Sequence, residues 1–374
     1  MTIAGASVNA SSGYAPAIDG LRAVSILLVF SVHANSQWAP GGAIGVDIFF
    51  VISGYLITGV LLDEYSKCRG ISIKNFYLRR MLRVGPAFAF LLLVYLALSF
   101  TFVAPDHRGD HLRAIFYSSS LVMNWTRAFG LPSGMIGHTW SLSVEEQFYL
   151  VWPLIFAALV VGSRRKLIFA IAAFVLIGTL WRMWLALQAD AQGRIFFGSD
   201  TRANQIFVGC LLALVPMQAI SRLAARTWLV PAAALGTIVA AGTTVPRWFD
   251  LVGSLIVALS AAWLIAAVRS AQQTTLSRIL GAGVCVAMGR LSYSFYLWHL
   301  PIIVGLAGRS IVTAETLPFV AFLLSLTAAA FSYFVIEKPF LRMKVRYSAG
   351  RDTSSASLLS GQRTVEGSLL TRRY

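Results

Sequence analysis

An arginine, a histidine and a carboxylate stand inside the first two apolar stretches: Arg22 and His33 in IDGLRAVSILLVFSVH, and Asp47 in GVDIFFVISGYLI. An ionised side chain at bilayer depth costs at least about 2.5–3.5 kcal/mol, so each needs a partner, a wet cavity or a function. In a helix, the spacing of Arg22 and His33 puts both within about 20° of one face and about 16 Å apart along the axis. A cation near one end and an imidazole deeper in suit proton transfer. The plainer readings are a snorkelling anchor for Arg22 and a capping or structural histidine for His33. Asp47 follows across a short loop, Trp38 to Ala43, that contains Pro40-Gly41-Gly42. A tight antiparallel hairpin would bring Asp47 and His33 to similar depth. The carboxylate would then accept the imidazole N–H and leave the other nitrogen free to take a proton from a hydroxyl. Otherwise Asp47 caps its helix.

Further groups join these along the chain. Ser53 and Gly54 leave clearance for a neighbouring helix or a narrow ligand. Arg79, Arg80 and Arg83 open the third apolar stretch; such a run sets topology, and at a helix N-terminus it also makes a phosphate site suited to an anionic donor. HTWSLSVEEQFYLVWP, residues 138–153, supplies His138, Trp140, Glu145, Glu146 and Tyr149 on the outer side. Helical spacing puts Ser141, Glu145 and Tyr149 on one face and turns Glu146 away. Carboxylates among aromatic rings at a membrane boundary suit a sugar acceptor, and carboxylates also suit the dipole of a helix start. LSYSFYLWHLP, residues 291–301, places Ser292, Tyr296 and His299 on one face, beside a Pro301 that denies its helix one backbone hydrogen bond.

The elements that must position these groups are membrane helices. The chain has 374 residues, is 57% hydrophobic and only 12% charged, and its mean hydropathy is +0.72. That composition excludes a soluble domain and predicts an all-α integral membrane protein. About ten stretches approach the roughly 20 apolar residues that a crossing needs. They lie near 20–38, 44–62, 84–103, 147–161, 167–187, 203–219, 228–243, 250–269, 289–307 and 316–337, the fourth starting nearer Ser141. Most of the 31 Lys and Arg fall in 63–83, 162–166, 219–228, 269–290 and after Glu337, which puts both termini in the cytoplasm. That bias accounts for the net charge of +16 without nucleic acid. Val32-His33-Ala34 could pass for a signal-peptide cleavage site, but no Lys or Arg precedes Arg22, so the first span reads as retained. The segment 104–146 is too polar for a simple span and is the largest external piece, with Leu112 to Trp125 lying on or dipping into the outer leaflet. Cys68, Cys210 and Cys285 show neither disulfide nor metal spacing. Residues 1–17 are expected to be disordered, 18–340 to form the membrane domain, and 341–374 to be a basic disordered tail.

Taken in order, IDGLRAVSILLVFSVH, GVDIFFVISGYLIT, RRMLR, HTWSLSVEEQFYLVWP, SYSFYLWHLP and the terminal EKP resemble acyltransferase family 3, the membrane O-acyltransferases of bacterial surface and secreted glycans. The resemblance implies a protein of the bacterial cytoplasmic (inner) membrane with no permanently bound cofactor. It would transfer an acyl group, commonly acetyl from acetyl-coenzyme A or another acyl-CoA, to a hydroxyl of a membrane-associated carbohydrate or lipid-linked glycan such as O-antigen or exopolysaccharide. It matches Arg22 and His33 to the family's essential pair, and Arg80 and Arg83 to arginines facing the coenzyme A side. Added to the residue reading, this makes His33, Asp47 and Glu145 the catalytic candidates. Arg22, Arg80, Arg83, Ser53 and Gly54 form the donor side, and His138, Trp140, Glu146, Tyr149, Tyr296 and His299 the acceptor side. The rival classes are a proton-coupled transporter or glycan flippase, which buried ionisable groups suit equally, and a non-catalytic scaffold.

Overall fold

The computed structural model describes residues 14–35, 37–188, 190–242, 249–270, 274–307 and 312–344. Most of the expected disordered termini, and Arg247 and Arg309, lie outside the described residues. The described residues contain no strand. In chain order the helices are α1 (Pro16–Ala34), α2 (Ile44–Cys68), α3 (Ile73–Phe102), α4 (Arg108–Ser119), α5 (Met123–Ala128), α6 (Trp140–Val160), α7 (Arg164–Ala186), α8 (Gln192–Phe197) and α9 (Ser199–Leu214). There follow α10 (Met217–Thr227), α11 (Leu229–Ala241), α12 (Ser254–Val268), α13 (Thr275–Leu280), α14 (Gly283–Ala307), α15 (Leu317–Phe331) and α16 (Lys338–Lys344). A 3-10 turn at Gly134–Thr139 leads into α6, and π-helical turns at Phe249–Gly253 and Ser332–Glu337 adjoin α12 and α15.

Local signals explain several boundaries. Pro16 opens α1, where its missing N–H costs nothing. Ser72 caps α3 and Ser163 caps α7, each hydroxyl accepting a backbone N–H three residues on. Arg69 closes α2 in the left-handed conformation, φ 53°.

Each of the ten apolar stretches overlaps a helix. Seven helices in the described residues are long and apolar enough to cross a membrane, and the bent pair Ile220–Thr227 and Leu229–Ala241, at 56°, makes eight if it counts as one span. Outside that count fall α9, at 16 residues, and α14, whose apolar run is broken by Arg290, Tyr293, Tyr296 and His299. The segment 104–146 forms no simple span: it folds into α4, α5, the 3-10 turn and the start of α6. The Tyr95 hydroxyl on α3 ties it down, bonding the backbone N–H of Met135 at 2.9 Å and His111 Nδ1 at 2.7 Å.

The frame around the site is set by two close helix pairs, α2 with α9 and α1 with α14. Between α2 and α9 the approach is backbone to backbone. A Cβ on Gly54 would lie 1.9 Å from the Ile206 carbonyl oxygen, and one on Gly209 would lie 2.1 Å from that of Val51. Small residues at a membrane helix crossing permit this contact, which larger side chains would prevent. Replacing Gly54 or Gly209 by Ala should therefore cost about 1–3 kcal/mol of packing. The expected result is a lower thermal midpoint and lower membrane yield of the solubilised protein; an unchanged midpoint for Gly54→Ala would contradict the contact.

Candidate active site

A cavity of about 500 Å³ opens between α1, α2, α3, α6 and α14. Its walls include Arg22, Ser53, Arg80, Arg83, Glu145 and Tyr149, and Ser141 and Tyr296 line it as well. Cations and carboxylates share this space unevenly. Arg79 is withdrawn from it electrically, bonding Glu64 at 2.6 Å, while Glu64 also accepts the Ser72 backbone N–H at 2.7 Å. That pair locks the turn between α2 and α3. Arg80 donates to Glu146 Oε1 from Nε at 3.0 Å and Nη2 at 2.5 Å, stands 3.8 Å from Glu145 and lies 3.9 Å over the Tyr149 ring. Ser53 donates to Glu145 at 2.7 Å. Arg83 forms no ion pair among the described residues and feels Glu337 only at longer range; Glu337 itself accepts the Ser294 hydroxyl. Arg22 has Asp19 at 3.4 Å. The cavity thus keeps cationic groups beyond what its own carboxylates consume.

Next to this cavity stand three histidines whose proton positions follow from their partners, because a carbonyl oxygen can only accept. His33 Nδ1 donates to Val29 O at 2.7 Å, which leaves Nε2 with a free lone pair. His299 Nδ1 donates to Tyr296 O at 2.6 Å, and its bare Nε2 lies 3.4 Å from His33 Nδ1. His138 Nε2 donates to Leu297 O at 3.2 Å, and its Nδ1 has no partner. Leu297 lies one helical turn before Pro301, so the missing proline N–H frees the carbonyl that His138 uses. Ring centroids are 5.2 Å apart for both His33–His299 and His138–His299. His138 and His299 are buried whereas His33 is exposed, beyond the cavity lining. Tyr296 stands between the two compartments, its hydroxyl 2.7 Å from Ser141 Oγ and donating to His138 O, its ring 5.1 Å from His138.

Several expectations are corrected. Asp47 is not the partner of His33: the carboxylate faces α9, 3.1 Å from Arg202 Nη1, and accepts from Gln205 Nε2 at 3.0 Å. The tautomer of His33 is fixed instead by a carbonyl of its own helix. Gly54 faces Ile206 on α9 rather than the cavity. Glu146 is not turned away, because the long Arg80 side chain reaches it. With Glu145 and Tyr149 it gathers around Arg80, away from the residues expected to hold an acceptor. Trp140, 6% exposed, offers no open stacking face; its centroid is 6.2 Å from that of Phe50 and 5.1 Å from that of Phe197.

Arg202, which is not among the sequence candidates, is the partner of Asp47. It is 1% exposed, with Trp140, Phe50 and Phe196 ring centroids 5.3–5.7 Å from its guanidinium carbon. Arg202, Asn204 and Gln205 interrupt an apolar stretch, and that was the available signal. Asp47→Asn should strand this buried guanidinium and cost about 3–5 kcal/mol, whereas Asp47→Asn with Arg202→Met should recover much of it. A thermal denaturation series tests the pair; full stability for Asp47→Asn alone would contradict it.

The acyltransferase domain family matches residues 16–337. Among curated relatives, the peptidoglycan O-acetyltransferase OatA of Listeria monocytogenes is 35% identical over 318 residues, 78% of this chain and 50% of the relative. A putative peptidoglycan O-acetyltransferase, YrhL of Bacillus subtilis, is 35% identical over 312 residues, 78% and 49% of the two chains. The O-acetyltransferase OatA of Staphylococcus aureus is 31% identical over 351 residues, 88% and 57%. The chain spans about half the length of the curated relatives it matches. No solved structure matches it. The motifs that border the cavity and the histidines all lie inside the matched region, and the chain belongs to the acyltransferase family.

Proposed function

We propose that this multi-pass protein of the bacterial cytoplasmic membrane transfers an acetyl group from acyl-CoA to a hydroxyl of a cell-surface glycan. The names of the curated relatives favour a peptidoglycan acceptor over the O-antigen or exopolysaccharide expected from the sequence. The observation that carries the reading is the pairing of two compartments: a cationic cavity on one side of Tyr296 and an exposed histidine with a free nitrogen on the other. In this reading the Arg22 end faces the cytoplasm. Arg83 and Arg22 hold the phosphates of the donor, to which a guanidinium offers matched, paired N–H groups. Arg80 is already engaged by Glu146 and orients the donor wall rather than supplying a free charge.

At the other end, His33 Nε2 takes the proton from the acceptor hydroxyl as its oxygen attacks the thioester carbonyl. The C–S bond breaks, coenzyme A leaves as the thiolate and takes up a proton, and the acyl oxygen ester remains on the glycan. The Val29 carbonyl holds Nδ1–H, so Nε2 is the nitrogen left free to accept the proton.

His33→Ala should lower acceptor acylation by about 10²–10⁴-fold, the usual contribution of a general base, while the protein still accumulates and binds donor. Unchanged acylation in a strain lacking the wild-type copy would sink the assignment. Arg83→Gln should raise the KM for acetyl-CoA by about 10–100-fold, as expected for a lost charge-assisted contact, with much less effect on acetyl-pantetheine, which lacks the phosphates. Equal effects on both donors would remove Arg83 from phosphate binding. Glycan uptake into proteoliposomes without acylation would favour the transporter instead.

A further inference from the structure

The external module built from α4, α5, the 3-10 turn and α8 contains four arginines in its described parts, and three are engaged by a carboxylate or by two backbone carbonyls. Arg113 meets Asp110 at 2.5 Å. Arg108 donates to the carbonyls of Val103 and Phe100, both at 3.0 Å. Arg194 binds Asp200 through two bonds, 2.9 and 2.8 Å, and lies 4.2 Å over the Trp125 ring. Arg127 differs. Its guanidinium makes one hydrogen bond, from Nη1 to Ser133 Oγ at 3.1 Å, lies 4.6 Å over the Phe197 ring and has no ion pair among the described residues.

Arg127 is held beside the histidines. A Cβ on Gly137 would lie 2.9 Å from Arg127 Nη1 and 2.5 Å from Ser133 Oγ, so the guanidinium rests against the backbone that immediately precedes His138. Its charge acts on both His33 and His138. Arg127, Ser133 and Phe197 are half-buried and His33 is exposed, so the group is reachable from outside. Partial burial also works against the charged form of Arg127, holding its guanidinium below the usual range with no carboxylate to offset the cost. A guanidinium with unused N–H groups, open on one side and placed near an imidazole with a free nitrogen, is a receptor for a carboxylate or phosphate oxygen.

We infer that Arg127 and Ser133 form an anion subsite on the acceptor side, which binds a carboxylate or phosphate of the glycan and so presents a neighbouring hydroxyl to His33. This rests on the acyl-transfer reading above, and it adds that the acceptor is anionic near the acylated position. Arg127 acts here as a binding and positioning residue, and it takes no proton.

The test uses purified full-length protein, acetyl-CoA and three soluble forms of one glycan: carrying a carboxylate, with that carboxyl amidated, and carrying a phosphate in its place. The wild type should prefer one anionic form over the amidated form by about 10-fold or more in kcat/KM, and which anion is preferred identifies the natural group. Arg127→Gln should collapse that preference towards unity through acceptor KM, while Arg127→Lys keeps part of it because the charge remains. Gly137→Ala, which crowds the guanidinium without removing charge, should also weaken it. A thermal midpoint within a few degrees of wild type shows that a variant is folded, and Arg127→Lys carries the test if Arg127→Gln is not. No preference in the wild type, or equal loss on the anionic and amidated glycans in the variants, overturns the subsite. A wild type that binds acetyl-CoA but acylates none of the three overturns the acyl-transfer reading itself, and the subsite with it.

Discussion

An ion pair buried between α2 and α9, Asp47 with Arg202, is the constraint on which the rest of the site depends. Neither charge is solvated, since the two side chains are 3% and 1% exposed. Separating them inside a membrane protein would leave at least one uncompensated charge, so the two helices are bound in a single register. Gly54 and Gly209 make that register possible by letting the backbones touch. With it fixed, Arg202 lies within the Phe50, Phe196 and Trp140 rings and anchors the start of α6. The start of α6 in turn sets Ser141 against Tyr296 and places His138 on the carbonyl that Pro301 leaves free.

The site then follows from a division of polar groups. Carboxylates gather around the arginines of the cavity wall, where Glu64, Glu146 and Glu145 absorb much of the charge of Arg79 and Arg80. The histidine side contains no carboxylate partner for any of the three rings among the described residues; each ring gives one proton to a backbone carbonyl. Backbone carbonyls fix tautomers without adding charge. His138 and His299 are buried, and His33 is the exposed member of the cluster. Its exposure supports the proposed proton exchange with an incoming hydroxyl.

Much of this was legible in the sequence. Composition and spacing gave the membrane class, the start of α6 and the chemistry-bearing residues, and the ordered motifs pointed to the family. Arg80, Arg83, Ser53, Glu145 and Tyr149 do share one cavity. What failed were pairings across long sequence separation. A tight turn made Asp47 and His33 look like partners because both sit near it, but the turn fixes depth and not the direction in which each helix faces. Asp47 faces Arg202 on α9 instead. Glu146 was misread for a related reason: helical periodicity describes Cβ directions, whereas a long arginine side chain can reach an acid at the edge of a face. Pro301 was read correctly as opening a polar group, but only the fold could supply His138 as its recipient.

In the proposed function the acyl group enters from the Arg22 end and leaves on the His33 end. Proteoliposomes of known orientation, with radiolabelled acetyl-CoA on one side and a glycan acceptor on the other, measure this directly. Labelled glycan is expected only when donor faces the Arg22 end and acceptor the His33 end, with the signal lost in His33→Ala. Acylation that requires both substrates on the same side would contradict it.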